Sequence, residues 1–144
     1  MARWRGFDNP FGDIWTNLDG IIIKRDAANQ PSNVYTTTDS SLYGDSAEAM
    51  QNMTIAGVEI AKDGYTKTFD LGNTGEIIPA SIGGNESTYI CDYHWCNPGS
   101  TERRMLLVGS YANNGGLAGF GSFYSYNNVS YACAYVGFRS LIRL

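Results

Sequence analysis

The chain has 144 residues, 43% of them hydrophobic, enough to bury one ordinary core, so we expect a single domain over residues 1–144. The formal net charge of −4 argues against nucleic acid or anionic lipid as a partner, because that binding depends on clustered Lys and Arg. No run of about 20 apolar residues is present, which excludes insertion of a membrane-spanning helix. The 17 glycines and 13% aromatic residues favour a β-rich α+β fold with long irregular loops and few short helices.

The first half of the chain predicts short elements separated by polar stretches. Three consecutive isoleucines at 21–23 predict a buried strand. Residues 26–46 are rich in Asn, Thr, Ser and Asp, so we expect them to cross the surface without regular structure. Residues 45–50 begin with Asp-Ser, which can cap a helix N-terminus, and predict one short helix.

The middle of the chain predicts a hairpin and one more strand. Between Tyr65 and Pro79, two apolar runs flank Gly-Asn-Thr-Gly at 72–75, a composition typical of a turn. Residues 89–95 resemble a strand that ends before Asn-Pro-Gly at 97–99.

The last third predicts two strands. Residues 105–108 are all apolar, which indicates a fully buried strand, and residues 135–142 predict the last one. The pair Arg103-Arg104 stands directly before the first of these strands. We expect both arginines to be solvated at the strand start.

The cysteines and the single histidine are weak candidates for chemistry. Cys91, Cys96 and Cys133 cannot all pair internally, so we expect buried or free thiols. A zinc site from Cys91, His94 and Cys96 would need a fourth ligand and lacks a familiar spacing. Since no nucleophile with a nearby base stands out either, we expect no enzyme activity, no cofactor and no metal.

The segment 105–138 carries the strongest functional signal, because it contains no charged residue and yet is mostly polar. Residues 109–135 are dominated by Tyr, Asn, Ser, Gly and Ala, a composition resembling an antibody paratope, where Tyr supplies rigid contact area. The alternative is a Gly-rich β meander that buries the same tyrosines. We predict a binding face formed by Tyr111, Asn113, Asn114, Tyr124, Tyr126, Asn127, Asn128, Tyr131 and Tyr135.

The same segment contains motifs of a known family. Gly-Ser-Tyr-Ala-Asn-Asn-Gly at 109–115, Ala-Gly-Phe at 118–120 and Val-Gly-Phe-Arg at 136–139 resemble the C-terminal signature of variable proteins diversified by diversity-generating retroelements. In that signature Ser110 stands at a glycine position. Residues 11–20 are similar to a tryptophan segment of the same superfamily, which includes the formylglycine-generating enzymes. Residues 4–15 also look like C-terminal domains of bacteriophage tail-fibre proteins.

This resemblance implies a C-type-lectin-like fold, as a compact variant or as the terminal part of a longer fibre protein. It implies a hypervariable receptor-binding domain on a virion tail fibre or a cell surface, which binds a host surface protein or glycan. The alternatives are a fibre cap or trimerising domain, active as a homotrimer, and a glycan-binding lectin without metal. Calcium-dependent sugar binding is disfavoured because the Glu-Pro-Asn, Gln-Pro-Asp and Trp-Asn-Asp motifs are absent.

The resemblance also implies residue roles. In the family, mutation is directed at adenines, commonly in Asn codons, and every residue from 124 to 135 is reachable from such codons. Arg139 resembles a structural residue that ties the last strand to neighbouring carbonyls or carboxylates. The expected core residues are Trp4, Phe11, Trp15, Leu106, Val108, Phe138 and Leu141. Catalysis of the formylglycine-generating type would need a cysteine pair near the C-terminus, where Cys133 stands alone.

Overall fold

The computed structural model describes residues 3–4, 7–8 and 12–137, the first two pairs as backbone only. The strands of this part are β1 (Arg3–Trp4), β2 (Phe7–Asp8), β3 (Trp15–Asn17), β4 (Ile21–Lys24), β5 (Ser32–Thr36), β6 (Thr54–Glu59), β7 (Gly64–Leu71), β8 (Ile77–Ile82), β9 (Tyr93–Trp95), β10 (Leu107–Val108), β11 (Phe123–Tyr124) and β12 (Val136–Gly137). In the same described part, the α-helix α1 spans Ala47–Gln51, and 3-10 helices span Ser40–Leu42 and Ala112–Leu117. The prediction of a β-rich α+β fold with few short helices is confirmed.

The strands form three sheets. The largest has the order β12-β3-β10-β11-β9-β7-β8, and it is mixed, because β12 runs parallel to β3 and β11 parallel to β9. The order β4-β5-β6 makes an antiparallel three-stranded sheet, and β1 and β2 pair as an antiparallel ribbon. Neighbours in the seven-stranded sheet come from distant parts of the chain, so its face gathers side chains that are far apart in sequence.

The main core lies between the three-stranded and the seven-stranded sheet. Ile23 and Val34 from the first sheet pack with Ile78, Leu106 and Phe123, and none of the five is more than 5% exposed. A second cluster of Trp15, Met105 and Leu107 lies on the other side of the seven-stranded sheet. Leu106 and Leu107 belong to different clusters because successive side chains of extended backbone point in opposite directions.

The expected core residues can be compared with these clusters. Trp15 is 2% exposed and Leu106 4% exposed, which confirms both. Val108 is only half-buried, although it packs against the main core. Phe11, Phe138, Arg139, Leu141 and the side chain of Trp4 lie outside the described residues, so the expectations for them stay predictions.

The predicted helix and hairpin are confirmed. The hydroxyl of Ser46 accepts a hydrogen bond from the Ala49 N–H at 3.0 Å, which caps the start of α1. Strands β7 and β8 pair across a tight turn, in which the Gly72 N–H donates to the Glu76 carbonyl at 2.7 Å.

Strand positions were predicted less well. The expectation that residues 26–46 lack regular structure was wrong for β5, which is the middle strand of its sheet with Ser32, Val34 and Thr36 buried. The polar composition concealed it, because Ser32 is buried with a hydrogen-bond partner that sequence does not reveal. In the stretches 89–95 and 105–108, only Tyr93–Trp95 and Leu107–Val108 are strands. Of the stretch 135–142, Val136–Gly137 is a strand and residues 138–142 lie outside the described part.

The expectation for Arg103-Arg104 was wrong for Arg104, which has no exposed surface. Arg103 is half-exposed and its Nε donates to the Asp45 carbonyl at 2.9 Å. Arg104 instead enters the interior, where its Nη2 donates to the Ser32 hydroxyl at 2.6 Å. A buried carboxylate, Glu59, lies beside it and makes this burial possible.

Glu59 is the centre of a buried ionisable cluster, which also contains Arg25, His94 and Arg104. One Glu59 oxygen, Oε2, lies 3.6 Å from Arg104 Nη2 and 3.9 Å from Arg25 Nη2, and Oε1 lies 3.6 Å from His94 Nε2. All four side chains are fully buried. Burial raises the pKa of Glu59, against the attraction of His94 and Arg104. The cluster connects β6 of the three-stranded sheet to β9 of the seven-stranded sheet.

Candidate binding surface

The tyrosines of the uncharged segment gather on the face of the seven-stranded sheet that is turned away from the main core. On β11 the Phe123 ring belongs to the main core, so the neighbouring Tyr124 ring lies on the opposite face. There Tyr124 packs against Trp15, with ring centroids 4.7 Å apart, and against Trp95 at 5.6 Å. We call this surface the aromatic face. Its rings are those of Trp15, Tyr65, Tyr93, Trp95, Tyr111, Tyr124, Tyr126, Tyr131 and Tyr135.

Ring contacts, partly through Trp15, and one hydrogen bond connect all five predicted tyrosines. Tyr111 stacks on Tyr135, with centroids 4.7 Å apart and planes 19° from parallel, and lies 6.3 Å from Trp15. Tyr126 lies 5.9 Å from Tyr124. The Tyr131 and Tyr135 hydroxyls are 2.7 Å apart and share a hydrogen bond. The structure therefore brings these five side chains together, although they come from three separate stretches of chain.

The five tyrosines are not equally accessible. Tyr126 and Tyr135 are 42% and 40% exposed, whereas Tyr111, Tyr124 and Tyr131 are half-buried against the second core cluster. Burial raises the pKa of Tyr124 to about 12, and the hydrogen bond to Tyr135 raises the pKa of Tyr131. The outer rings are therefore the more accessible to a partner, while the inner rings also serve packing.

The backbone around Tyr111 is tightly shaped. Gly109 and Ser110 both have positive φ, +84° and +58°, and they lead into Tyr111 at the start of a 3-10 helix. The Tyr111 N–H donates to Asn114 Oδ1 at 3.3 Å, and Asn113 Nδ2 donates to the Tyr111 hydroxyl at 3.5 Å. Asn113 and Asn114 are thus placed beside the Tyr111 ring, Asn113 exposed and Asn114 half-buried.

The two remaining predicted residues point to different neighbours. The half-buried Asn127 side chain lies near the Tyr124 hydroxyl and partly offsets the rise in the pKa of Tyr124, which places Asn127 at the aromatic face. Asn128 is exposed and its Nδ2 lies 3.4 Å from Glu102 Oε2, while its Oδ1 accepts from the Ser130 hydroxyl at 2.9 Å. Asn128 therefore lies next to a charged side chain, at the border of the uncharged surface.

Sequence reasoning missed the rings that β7 and β9 add to the aromatic face. Trp95 lies 4.4 Å from Tyr93, and Tyr93 lies 5.1 Å from Tyr65. All three are half-buried. Burial, and then the nearby Asp63 carboxylate, raise the pKa of Tyr93. The spacing of Tyr93 and Trp95 in the sequence could have predicted this. Side chains alternate along a strand, so these two lie on one face and His94 on the other.

Of the candidate zinc ligands, His94 and Cys96 are buried and Cys91 is not. His94 is buried, with its ring nitrogens 3.1 Å and 3.3 Å from the Phe123 and Ile60 carbonyl oxygens, whereas Cys91 is exposed. Cys96 is buried on the core side, and burial raises the pKa of its thiol to about 12. Among the described residues, no three His, Cys, Asp or Glu side chains are grouped to hold a metal ion.

Comparisons of the chain with protein-family models, with curated proteins and with solved structures found no match. The C-type-lectin-like fold and the retroelement family therefore stay predictions from the motifs at 11–20, 109–120 and 136–139. Within the part of the chain that the structure describes, no helix has the length and apolar character needed to cross a membrane.

Proposed function

We propose that this chain is a recognition domain that binds a host surface protein or glycan through the aromatic face. The observation that carries the proposal is the continuous group of rings formed by Trp15, Tyr111, Tyr124, Tyr126 and Tyr135. Aromatic rings that are partly packed and partly exposed offer rigid contact area at low entropic cost. A surface of this kind is a good binding site for an uncharged or weakly charged partner.

The charge distribution supports the same proposal. Residues 105–138 contribute no charge, and Asn113 and Asn127 add amide groups beside the rings. The uncharged part of the aromatic face that this segment supplies, with its amide and hydroxyl groups, can pack against apolar patches and hydrogen-bond to polar ones. Binding should therefore depend little on ionic strength, in contrast to a site built from Lys and Arg.

The proposed setting is the tip of a phage tail fibre or another extracellular surface, where a retroelement diversifies the contact residues. This part of the proposal rests on the resemblance of 109–115 and 136–139 to the variable-protein signature. Sequencing the genomic neighbourhood tests it directly. A reverse transcriptase and a near-copy of the last stretch of the gene with adenine-directed differences would support it, and the absence of both would contradict it.

Binding is tested with intact cells of a panel of bacteria and a fluorescent label on the whole chain. Tyr126→Ala and Tyr135→Ala should each weaken binding by about 2 kcal/mol or more, as at interface hot spots. The matched control is Tyr89→Ala, because Tyr89 is fully exposed on the loop after β8 and makes none of the ring contacts described. Equal binding by Y89A, Y126A and Y135A would contradict the proposed surface.

Treatment of the cells identifies the partner class. Protease digestion removes a protein partner, and periodate oxidation removes a glycan. A calcium chelator should leave binding unchanged, since the proposed contacts are rings, hydroxyls and amides. Loss of binding on chelation would favour a metal-dependent lectin instead.

A further inference from the structure

An apolar cavity lies on the opposite side of the seven-stranded sheet from the aromatic face. Its volume is about 250 Å³ and it is open to solvent. Its buried walls come from the three-stranded sheet, the seven-stranded sheet and the residue directly before β10, and they consist of Val34, Ile78, Leu106 and Phe123. Half-buried Leu18, Ile21 and Val108 continue the lining toward the surface.

The mouth of the cavity is also apolar. Ile77 is 59% exposed and Phe120 66% exposed, and both line the opening. Leu71, the cross-strand neighbour of Ile77, is 78% exposed. Large apolar side chains grouped around a concave apolar opening are typical of a ligand site rather than of ordinary surface.

Only one charged residue, Glu76, is found among the described residues that line the cavity. Glu76 Oε2 accepts from the Thr74 N–H at 3.0 Å, and Oε1 accepts from the Thr74 hydroxyl, so the tight β7–β8 turn fixes the carboxylate. The one other polar side chain of the lining, Ser122, already donates to the Leu117 carbonyl and accepts from the Gly119 N–H, each at 3.1 Å. The cavity therefore combines apolar walls with a single fixed negative charge.

We propose that this cavity is a second binding site, for a small molecule that joins one aromatic ring system to a cationic amine. The volume supports the ring, because an apolar cavity of about 150 Å³ already accommodates benzene. The fixed carboxylate at Glu76 supports the amine, since a preorganised charge selects a ligand of opposite charge. The site does not depend on the proposed function, because the two surfaces lie on opposite faces of the sheet.

The test uses the whole chain and three indoles that differ in charge: tryptamine, indole and indole-3-propionate. Tryptamine should bind with a Kd of roughly 0.05–1 mM, as expected for a fragment of this size. Indole should bind about threefold more weakly than tryptamine, because a partly exposed ion pair contributes a difference of this size. The anion indole-3-propionate should bind more weakly than indole. Glu76→Gln should remove the difference between tryptamine and indole.

Val108→Phe places a larger side chain in the cavity and should weaken tryptamine binding about tenfold or more. Ile55→Phe is the matched control, because Ile55 is 45% exposed and outside the cavity lining, and it should leave the Kd unchanged. If V108F does not fold, the binding site is located instead by the changes that tryptamine causes in the methyl chemical shifts of Leu18, Ile21 and Ile77 in the wild-type chain. Unchanged methyl shifts at saturating tryptamine, equal affinity for all three indoles, or full binding by a folded V108F would each overturn the proposal.

Discussion

Glu59 and Arg104 face each other in the interior, with 3.6 Å between Glu59 Oε2 and Arg104 Nη2 and no exposed surface on either side chain. Arg25 shares the same carboxylate oxygen at 3.9 Å. One carboxylate thus lies beside two guanidinium groups that cannot lose their protons. Backbone carbonyls also accept from Arg25, whose Nη1 donates to the Pro98 carbonyl at 2.9 Å and whose Nη2 donates to the Cys96 carbonyl at 3.0 Å.

Glu59→Ala should lower the free energy of unfolding by about 3–5 kcal/mol, because it leaves two buried guanidinium groups without their anion. Glu59→Gln should cost less, since the amide oxygen can still accept from the Ser125 hydroxyl that bonds Glu59. Urea denaturation measures both. Glu86→Ala, at an exposed glutamate, is the control and should change little. An E59A variant as stable as E86A would contradict the structural role of the cluster.

The burial of Arg104 illustrates what sequence reasoning could not reach. Its partners Ser32 and Glu59 lie far away in the chain, where the register of β5 and β6 pairs them directly. Arg104 joins them because its backbone bonds to Ile23 of the same sheet. A local pattern therefore described Arg103-Arg104 as a solvated pair. The Ser46 cap of α1 and the turn at 72–75 were predictable, because the residues that stabilise them are close in sequence.

The aromatic face too was predictable from the sequence only in part. The composition of residues 109–135 predicted which tyrosines to examine, and the structure connects five of them. Composition could not separate the exposed Tyr126 from the half-buried Tyr124, because that difference depends on Trp15 and Trp95 from other strands. Nor could it show that Asn128 lies beside Glu102.

Ser110→Gly should raise the free energy of unfolding by about 1 kcal/mol. Ser110 has φ +58°, a left-handed conformation that costs a non-glycine residue roughly 1–2 kcal/mol. Its buried hydroxyl also has no hydrogen-bond partner among the described residues. Ser110→Ala removes the hydroxyl and keeps the backbone strain, so thermal denaturation of both variants separates the two effects. A less stable S110G would show that the hydroxyl or the side-chain packing matters more than the strain.

Tyr124→Ala should destabilise the fold by about 3 kcal/mol, because it removes a half-buried ring that packs on Trp15 at 4.7 Å. Tyr126→Ala should cost much less, about 1 kcal/mol or below, because 42% of this residue is exposed. Chemical denaturation of the two variants under identical conditions makes the comparison. Equal losses would mean that exposure does not separate the packing rings from the contact rings, and Y126A would then be unsuitable for the binding test.

The fold should lose stability at alkaline pH, and Cys96 should account for much of the loss. Burial, then the nearby Glu59, raise the pKa of the Cys96 thiol from 9.0 to about 12 in the folded chain. A group with a raised pKa in the folded state stabilises it fully below the unfolded pKa. This contribution falls as the pH rises from about 9 toward about 12, because the unfolded chain releases the proton first.

Urea midpoints measured between pH 7.5 and pH 11, about one unit apart, should therefore decrease steadily above about pH 9 in the wild-type chain. Cys96→Ala should lower the midpoint at neutral pH, because it leaves a small cavity, and should make the alkaline decrease shallower. A remaining slope is expected from Tyr124, whose pKa burial also raises, to about 12. Cys133→Ala is the control, since Cys133 is a half-buried thiol outside the core, and it should not make the decrease shallower. If C96A and the wild-type chain show parallel slopes, the Cys96 thiol is not responsible for the alkaline loss, and the stabilising effect of its burial must be smaller than its position implies.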